Sequence, residues 1–217
     1  MALLRDLMDM HVETIVVGEF QVNCYLLWSD SNDVIVVDPG GDADVILDSI
    51  AKRKLSVAAY LLTHGHMDHI SALADVHDAY PAPVRIHGAD LKWAFDTQNQ
   101  MPPFYGVPRK PSVMAATFED GQELTDAGLT YRVILTPGHT PGSVCFHFKA
   151  GGLLVTGDTL FAGGVGRTDL PGGNSRMLAA SLKKLAAFPD ETIIYPGHGP
   201  SSSIAAEKET NYYMQRL

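Results

Sequence analysis

Val57-Ala58-Ala59-Tyr60-Leu61-Leu62-Thr63-His64-Gly65-His66-Met67-Asp68-His69 is an apolar run that stops at three imidazoles and a carboxylate packed into six positions. The run Val57 to Leu62 reads as a buried strand, and Leu73, Val76 and Tyr80, spaced by three and four, read as one face of a helix. The polar cluster therefore lies where a strand ends and a helix begins, the edge of an α/β sheet where ligands bind. Imidazole nitrogen and carboxylate oxygen suit borderline divalent metals. His64 and His66 can hold one ion; Asp68 and His69, on a helix that starts there, can turn toward a second.

The 217 residues are 46% hydrophobic, enough for one large core, and the chain is read as one domain over 1–217. A net charge of −9 with no basic run argues against nucleic acid, whose phosphates need clustered Lys and Arg. No apolar run is long enough to span a bilayer, and Met1 to Asp6 lacks the basic and apolar regions of a secretory signal. A cytoplasmic protein acting on a small molecule, with neither nucleic acid nor membrane as partner, is expected. Cys24 and Cys145 lie in distant strand-like runs and read as buried thiols without chemistry.

Outward from the cluster, Val12–Val17, Val22–Trp28 and Val34–Val37 read as an antiparallel meander ending in the turn Asp38-Pro39-Gly40-Gly41. Asp42 reads as the cap of a helix through about Lys54. Val84–His87 reads as a strand, followed by a short helix containing Trp93 and Phe95. The segment 98–111, with four prolines, is irregular; Met101, Phe104 and Tyr105 can either line a pocket as part of a lid or pack the loop onto the core. Further strands are expected at Leu129–Leu135, Val144–Phe148, Leu153–Val155 and Thr192–Tyr195, with helices over Ser175–Phe188 and Ile204–Met214. His64, His66, His139, Asp158 and His198 all fall where a strand meets a loop.

Seven candidate ligands are too many for one tetrahedral ion and too few to saturate two at higher coordination, so solvent must complete the site. His64, His66 and His139 are assigned to one ion and Asp68, His69 and His198 to the other, with Asp158 bridging. Ions about 3.5 to 4 Å apart can share a hydroxide, since bound water has its pKa lowered to about 7. With Asp68 helping to hold that nucleophile, no protein nucleophile is needed. Gly138-His139-Thr140-Pro141-Gly142 imitates a nucleophile elbow, but the chain continues as a strand rather than a helix, which excludes it. Two divalent ions are expected, zinc first, with iron and manganese also admitted by these ligands.

Thr63-His64-Gly65-His66-Met67-Asp68-His69, Thr136-Pro137-Gly138-His139-Thr140-Pro141-Gly142, Thr156-Gly157-Asp158-Thr159-Leu160-Phe161 and Tyr195-Pro196-Gly197-His198-Gly199-Pro200, in that order, resemble the metallo-β-lactamase superfamily. In detail the chain is similar to short bacterial glyoxalase II-like hydrolases of the hydroxyacylglutathione hydrolase family. The resemblance implies an αβ/βα sandwich, two sheets face to face with helices outside, and the same seven ligands at one edge. It also implies that Asp38 orients a ligand histidine. It implies a thioester substrate, possible without a strong general acid because a thiolate with solution pKa near 8.5 leaves readily. Full-length glyoxalase II enzymes add a C-terminal helical extension that supplies basic residues to glutathione, and none is expected here.

Where those enzymes place Lys and Tyr, this chain has Arg167-Thr168-Asp169. Arg167 can grip a substrate carboxylate or pair with Asp169. Gly166-Arg167-Thr168-Asp169 also looks like the segment of persulfide dioxygenases, which use one iron on this fold, so that reading and hydrolysis of lactones or other esters stand as alternatives. His11, His77, His87 and His147 stand alone and read as surface or hydrogen-bonded residues, His147 facing outward between Phe146 and Phe148.

Overall fold

The computed structural model describes residues 10–114 and 117–217. The first half builds a sheet from β1 (His11–Val17), β2 (Val22–Trp28), β3 (Asp33–Val37), β4 (Ser56–Leu61) and β5 (Val84–Arg85), in that spatial order. The first three pair antiparallel across short turns. β3, β4 and β5 pair in parallel because helices carry the chain back between them: α1 (Ala43–Arg53), then α2 (Met67–Ile70) and α3 (Leu73–Ala79). After α4 (Gly88–Leu91) the chain forms β6 (Glu123–Asp126), β7 (Leu129–Leu135), β8 (Val144–Phe148) and β9 (Leu153–Gly157). The small hairpin β10 (Leu160–Phe161) and β11 (Gly164–Val165) leads to α5 (Ser175–Ala186), β12 (Ile193–Pro196), β13 (Ser202–Ser203) and α6 (Ile204–Thr210). The second sheet has the order β13-β12-β9-β8-β7-β6, with β12 parallel to β9 across α5.

Strand alternation sorts the side chains into layers. On β2 and β3, Tyr25, Leu27, Ile35 and Val37 join Tyr131, Val133, Phe146, Phe148 and Val155 in a core between the sheets. Their neighbours Cys24, Leu26, Val34 and Val36 turn outward onto Ile46, Ile50, Leu73 and Val76 of α1 and α3. Beyond the other sheet, Cys145, Leu154 and Ile194 pack on Leu178, Leu182 and Leu185 of α5. Strands buried on both faces must be apolar throughout, which is why these segments read as unbroken hydrophobic runs. The result is an αβ/βα sandwich of two mixed sheets. No helix among the described residues is long and apolar enough to cross a membrane.

At one edge the sheets are laced together. Val144 N–H donates to the Thr63 carbonyl, and Asn23 N–H to that of Gly197, each at 2.8 Å. Gly157 has a φ of 48°, and a Cβ there would lie 2.5 Å from Thr63 Oγ1, so only glycine lets the ends of β9 and β4 approach this closely.

Several expectations change. Asp42 stands at the start of α1 with left-handed backbone and does not cap it; its carboxylate accepts from Gly18 N–H at 2.8 Å, tying the β1–β2 turn to the helix. His147 does not face outward: it lies on the α5 side of β8, half-buried, with its ring 4.8 Å from Phe188. β6 carries only one apolar residue, Leu124, and escaped the hydrophobic pattern. Trp93 and Phe95 follow α4 rather than lie in it, and α6 ends at Thr210, with a separate 3₁₀ turn at Met214–Arg216. His77 is buried beside Tyr60 with neither ring nitrogen hydrogen-bonded among the described residues, while His87 accepts from Ala89 N–H at the start of α4.

Candidate metal centre

Beyond β4, Asp38 fixes the first loop. Its carboxylate accepts from Thr63 N–H at 2.8 Å, Thr63 Oγ1 at 2.6 Å and His69 Nδ1 at 2.9 Å. Since the Thr63 hydroxyl gives its proton to Asp38, it accepts from His64 Nδ1 at 3.0 Å, which leaves His64 Nε2 with a bare lone pair. The same logic runs round the site: His139 Nδ1 donates to the Arg167 carbonyl at 2.8 Å and His198 Nδ1 to the Phe20 carbonyl at 2.9 Å. These four rings, His64, His69, His139 and His198, are thereby set in the tautomer whose Nε2 can bind a cation.

Two donor groups result. His64, His66 and His139 form one, with His66 Nδ1 only 2.9 Å from His139 Nε2. Asp68, His69 and His198 form the other, Asp68 Oδ2 lying 3.8 Å from His69 Nε2 and 3.6 Å from His198 Nε2. Asp158 faces both: Oδ1 is 3.3 Å from His69 Nε2, and Oδ2 is 3.5 Å from His139 Nε2 and 3.6 Å from His198 Nε2. Ligands at 2.0–2.1 Å around a tetrahedral ion are about 3.3 Å apart, so these spacings fit shared cations. His64 Nε2, His69 Nε2 and Asp158 Oδ1 are buried with no hydrogen-bond partner, an expensive arrangement that a cation would relieve. Asp38 also lies within reach of His64 and His69, but three protein donors already occupy its oxygens, which makes it a brace.

The two groups differ in charge. Burial, reinforced by the neighbouring rings of His69 and His139, holds His64 well below the ordinary imidazole range, and burial with His139 lowers His66 to about 4. Burial would lower His69 as well, but Asp158 and Asp68 outweigh it and raise that ring. His198 is likewise raised, burial being overcome by Asp68 and Asp158. Asp158 is lowered despite its burial, through His69, His139 and His198.

The Arg167 guanidinium makes a two-pronged pair with Asp169, 2.7 Å on each arm, in solvent. In segment 98–111, Tyr105 is buried against Phe20, centroids 5.0 Å apart, and Phe104 is 53% exposed beside it. Phe104 and Tyr105 line a cavity of about 570 Å³ with Gly18, Gln21, Asp42 and Ser71; Met101 does not reach it. Trp93 lies 5.5 Å from the His66 ring and Phe161 5.9 Å from that of His198, giving the site aromatic walls.

Three residues that hold the site were not found from sequence. Asn23 Nδ2 donates to the Pro196 and Gly199 carbonyls, bracing the His198 turn. Asn99 donates to the Gly65 carbonyl and accepts from Met67 N–H. Asp90 is fully buried between the His64–His66 and His139 loops. Only Asn23 leaves a sequence signal, a lone amide inside an apolar strand.

A family model described as the metallo-β-lactamase superfamily matches residues 17–198. A probable metallo-hydrolase of Bacillus subtilis, YqgX, is 36% identical over 91% of this chain and 94% of its own length. The hydroxyacylglutathione hydrolase GloC of Haemophilus influenzae is 33% identical over 94% of this chain and 98% of its own. Among solved structures, the B3 metallo-β-lactamase BLEG-1 superposes with a TM-score of 0.88 at 35% identity, covering 94% and 99% of the two chains. A di-iron-bound form of TTHA1623 gives 0.85 at 35%, covering 93% and 100%, and ETHE1 from Myxococcus xanthus 0.75 at 29%, covering 93% and 83%.

Proposed function

The chain belongs to the metallo-β-lactamase superfamily, and from that premise we propose that it is a dinuclear metal-dependent hydrolase of thioesters of the hydroxyacylglutathione type. The observation that carries this reading is Asp158: one buried carboxylate faces two separate donor groups, each with a buried and unpartnered ring nitrogen, His64 Nε2 in one and His69 Nε2 in the other. His64, His66 and His139 would hold one ion and Asp68, His69 and His198 the other, with Asp158 between them and Asp38 orienting His69. Such ions, zinc ahead of iron or manganese, supply Lewis acidity for a carbonyl and a water made acidic enough to attack at neutral pH.

The remaining work belongs to the chain. Asp68 and Asp158 are carboxylates throughout the neutral range, so they offset the charge of bound cations and can orient a water through their free oxygen edges. The rings of Trp93 beside His66 and Phe161 beside His198 would shield the acyl group from bulk water. A thiolate leaving group suits such a site, because its solution pKa near 8.5 lets it depart unprotonated. The likeness to the Haemophilus influenzae hydroxyacylglutathione hydrolase supports glutathione as the carrier. Arg167 can exchange Asp169 for a substrate carboxylate at small cost, since the pair stands in solvent, where ion pairs add little to stability.

The test is Asp68→Ala in metal-replete protein assayed with lactoylglutathione, with metal content measured on the same sample. Loss of turnover is expected; retained turnover would sink the reading. A second reading, an iron-dependent persulfide dioxygenase, is favoured by Gly166-Arg167-Thr168-Asp169 and predicts one iron per chain and oxygen uptake with glutathione persulfide. Iron-loaded protein without uptake would end it.

A further inference from the structure

Asp90 is a carboxylate buried to zero exposure that forms no ion pair among the described residues. A buried carboxylate costs several kcal/mol unless it is well hydrogen-bonded, and the donors to Asp90 come from two places far apart in the chain. Oδ2 accepts from Gly65 N–H at 2.9 Å and from Thr140 Oγ1 at 2.6 Å; Oδ1 accepts from Gly142 N–H at 2.7 Å. Gly65 lies between His64 and His66, and Thr140 follows His139 directly. The carboxylate is thus a staple between the two loops that carry the three-imidazole group.

The glycines of both loops suit this contact. A Cβ on Gly142 would lie 2.6 Å from Asp90 Oδ1, and one on Gly65 would lie 3.2 Å from Asp90 Cβ and 3.1 Å from Ala94 Cβ. Thr140 is held in turn by Ser143, whose Oγ accepts from Thr140 N–H at 3.1 Å. The Val144 N–H to Thr63 carbonyl bond at 2.8 Å ties the strand ends that flank these loops; within the loops, among the described residues, the other direct approach is that of the His66 and His139 rings themselves.

We propose that Asp90 is a positioning residue for the three-imidazole group, setting the separation of the His64–His66 and His139 loops so that their nitrogens converge on one ion. This rests on the two-metal reading above. Asp90→Asn keeps the side chain's shape but turns an amide donor toward a donor, so one loop must move away.

The experiment is zinc titration of metal-free protein against a chromogenic chelator, with the cobalt(II) absorption spectrum as a report of coordination geometry. Wild type should take up two equivalents. Asp90→Asn should weaken one equivalent about 10-fold, the low end of the cost of losing a direct partner of a ligand, since Asp90 acts on the rings through Gly65, Thr140 and Gly142, and change its cobalt spectrum while the other equivalent is unaltered. In a His198→Ala background, where the three-imidazole group is intact, it should weaken the remaining equivalent by the same factor. Thr140→Val, which removes one donor, should act in the same direction by a smaller factor, and it carries the test should Asp90→Asn not fold. Two unaltered equivalents in these variants would overturn the positioning role. Equal weakening of both with a lowered melting temperature would also overturn it, pointing to general stability. A wild-type protein that binds no zinc, iron or manganese would instead overturn the metal reading beneath it.

Discussion

The two donor groups lie side by side yet are built on opposite principles. His64, His66 and His139 come from two loops with no carboxylate among them, and burial lowers the proton affinity of His64 and His66. Asp68, His69 and His198 interleave a carboxylate with rings that Asp158 and Asp68 make more basic. The first group offers ready lone pairs and depends on protein geometry to bring them together; the second offers charge and depends on carboxylates to balance it. Asp158 is the member that faces both, so the two halves are separable in charge but not in geometry.

Asp158→Ala should therefore have the largest effect. It should reduce uptake at both halves together, with turnover falling by more than about 100-fold, because even an outer partner of a ligand typically costs 10- to 100-fold. Metal content and turnover on one preparation check it. Loss confined to one half would show that Asp158 belongs to that half alone.

Asp38→Ala should come next, weakening the ion held by His69 about 10- to 100-fold. It also strips the partner from the buried Thr63 N–H, which should lower stability by about 1–3 kcal/mol. Denaturant unfolding of metal-free protein measures the second effect and zinc affinity the first. The comparison sharpens if His64, which reaches Asp38 only through Thr63, loses less than His69, which touches it.

Much of this site was legible because its side chains sit at the ends of apolar runs. Val57–Leu62 and Leu153–Val155 read as strands because both of their faces are largely covered, Leu129–Leu135 because it alternates, with Thr130 and Arg132 exposed, and the histidines and Asp158 follow where those runs stop. Their braces were hidden for the opposite reason. Asp90 and Asn99 look like ordinary helix-start and loop residues until folding brings Gly65, Gly142 and Met67 against them. Asp42 looked like a helix cap because a cap and a turn brace have the same local sequence, and only the position of Gly18 N–H separates them. His147 misled because alternation on β8 says which face a residue takes but not that Phe188, just past α5, packs against it.

Acid should separate the halves. A group whose proton affinity is raised keeps its proton to higher pH, so an ion must displace that proton; His69 and His198 are such groups. His66 stays neutral until pH falls to about 4, and burial lowers His64 in the same sense. Dialysis at falling pH should therefore empty the Asp68–His69–His198 half first and leave about one equivalent behind. Imidazole proton resonances of metal-free protein should show His64 and His66 not titrating near pH 6.5, with His69 and His198 titrating above it. Simultaneous loss of both ions would break the contrast in charge.

The smallest expected effect tests whether segment 98–111 reaches the second half. Tyr105 Oη accepts from Phe20 N–H at 3.3 Å, its ring meets that of Phe20 edge-on at 5.0 Å, and the Phe20 carbonyl accepts from His198 Nδ1 at 2.9 Å. The loop is thus fastened to the residue that sets the His198 tautomer, while Phe104 beside it faces solvent. Tyr105→Phe keeps the ring and removes only the hydroxyl, one hydrogen bond of about 0.5–1.5 kcal/mol, or roughly 2- to 10-fold in affinity. That loss should fall on the Asp68–His69–His198 half and leave the three-imidazole half unaltered, because among the described residues no hydrogen bond leads from Tyr105 to His64, His66 or His139. Phe104→Ala, which touches Phe20 only by its ring at 5.8 Å, should leave both affinities unaltered and raise KM alone if Phe104 lines the substrate's path. Should Tyr105→Phe weaken the three-imidazole half instead, the loop acts through the fold as a whole rather than through the Phe20 carbonyl.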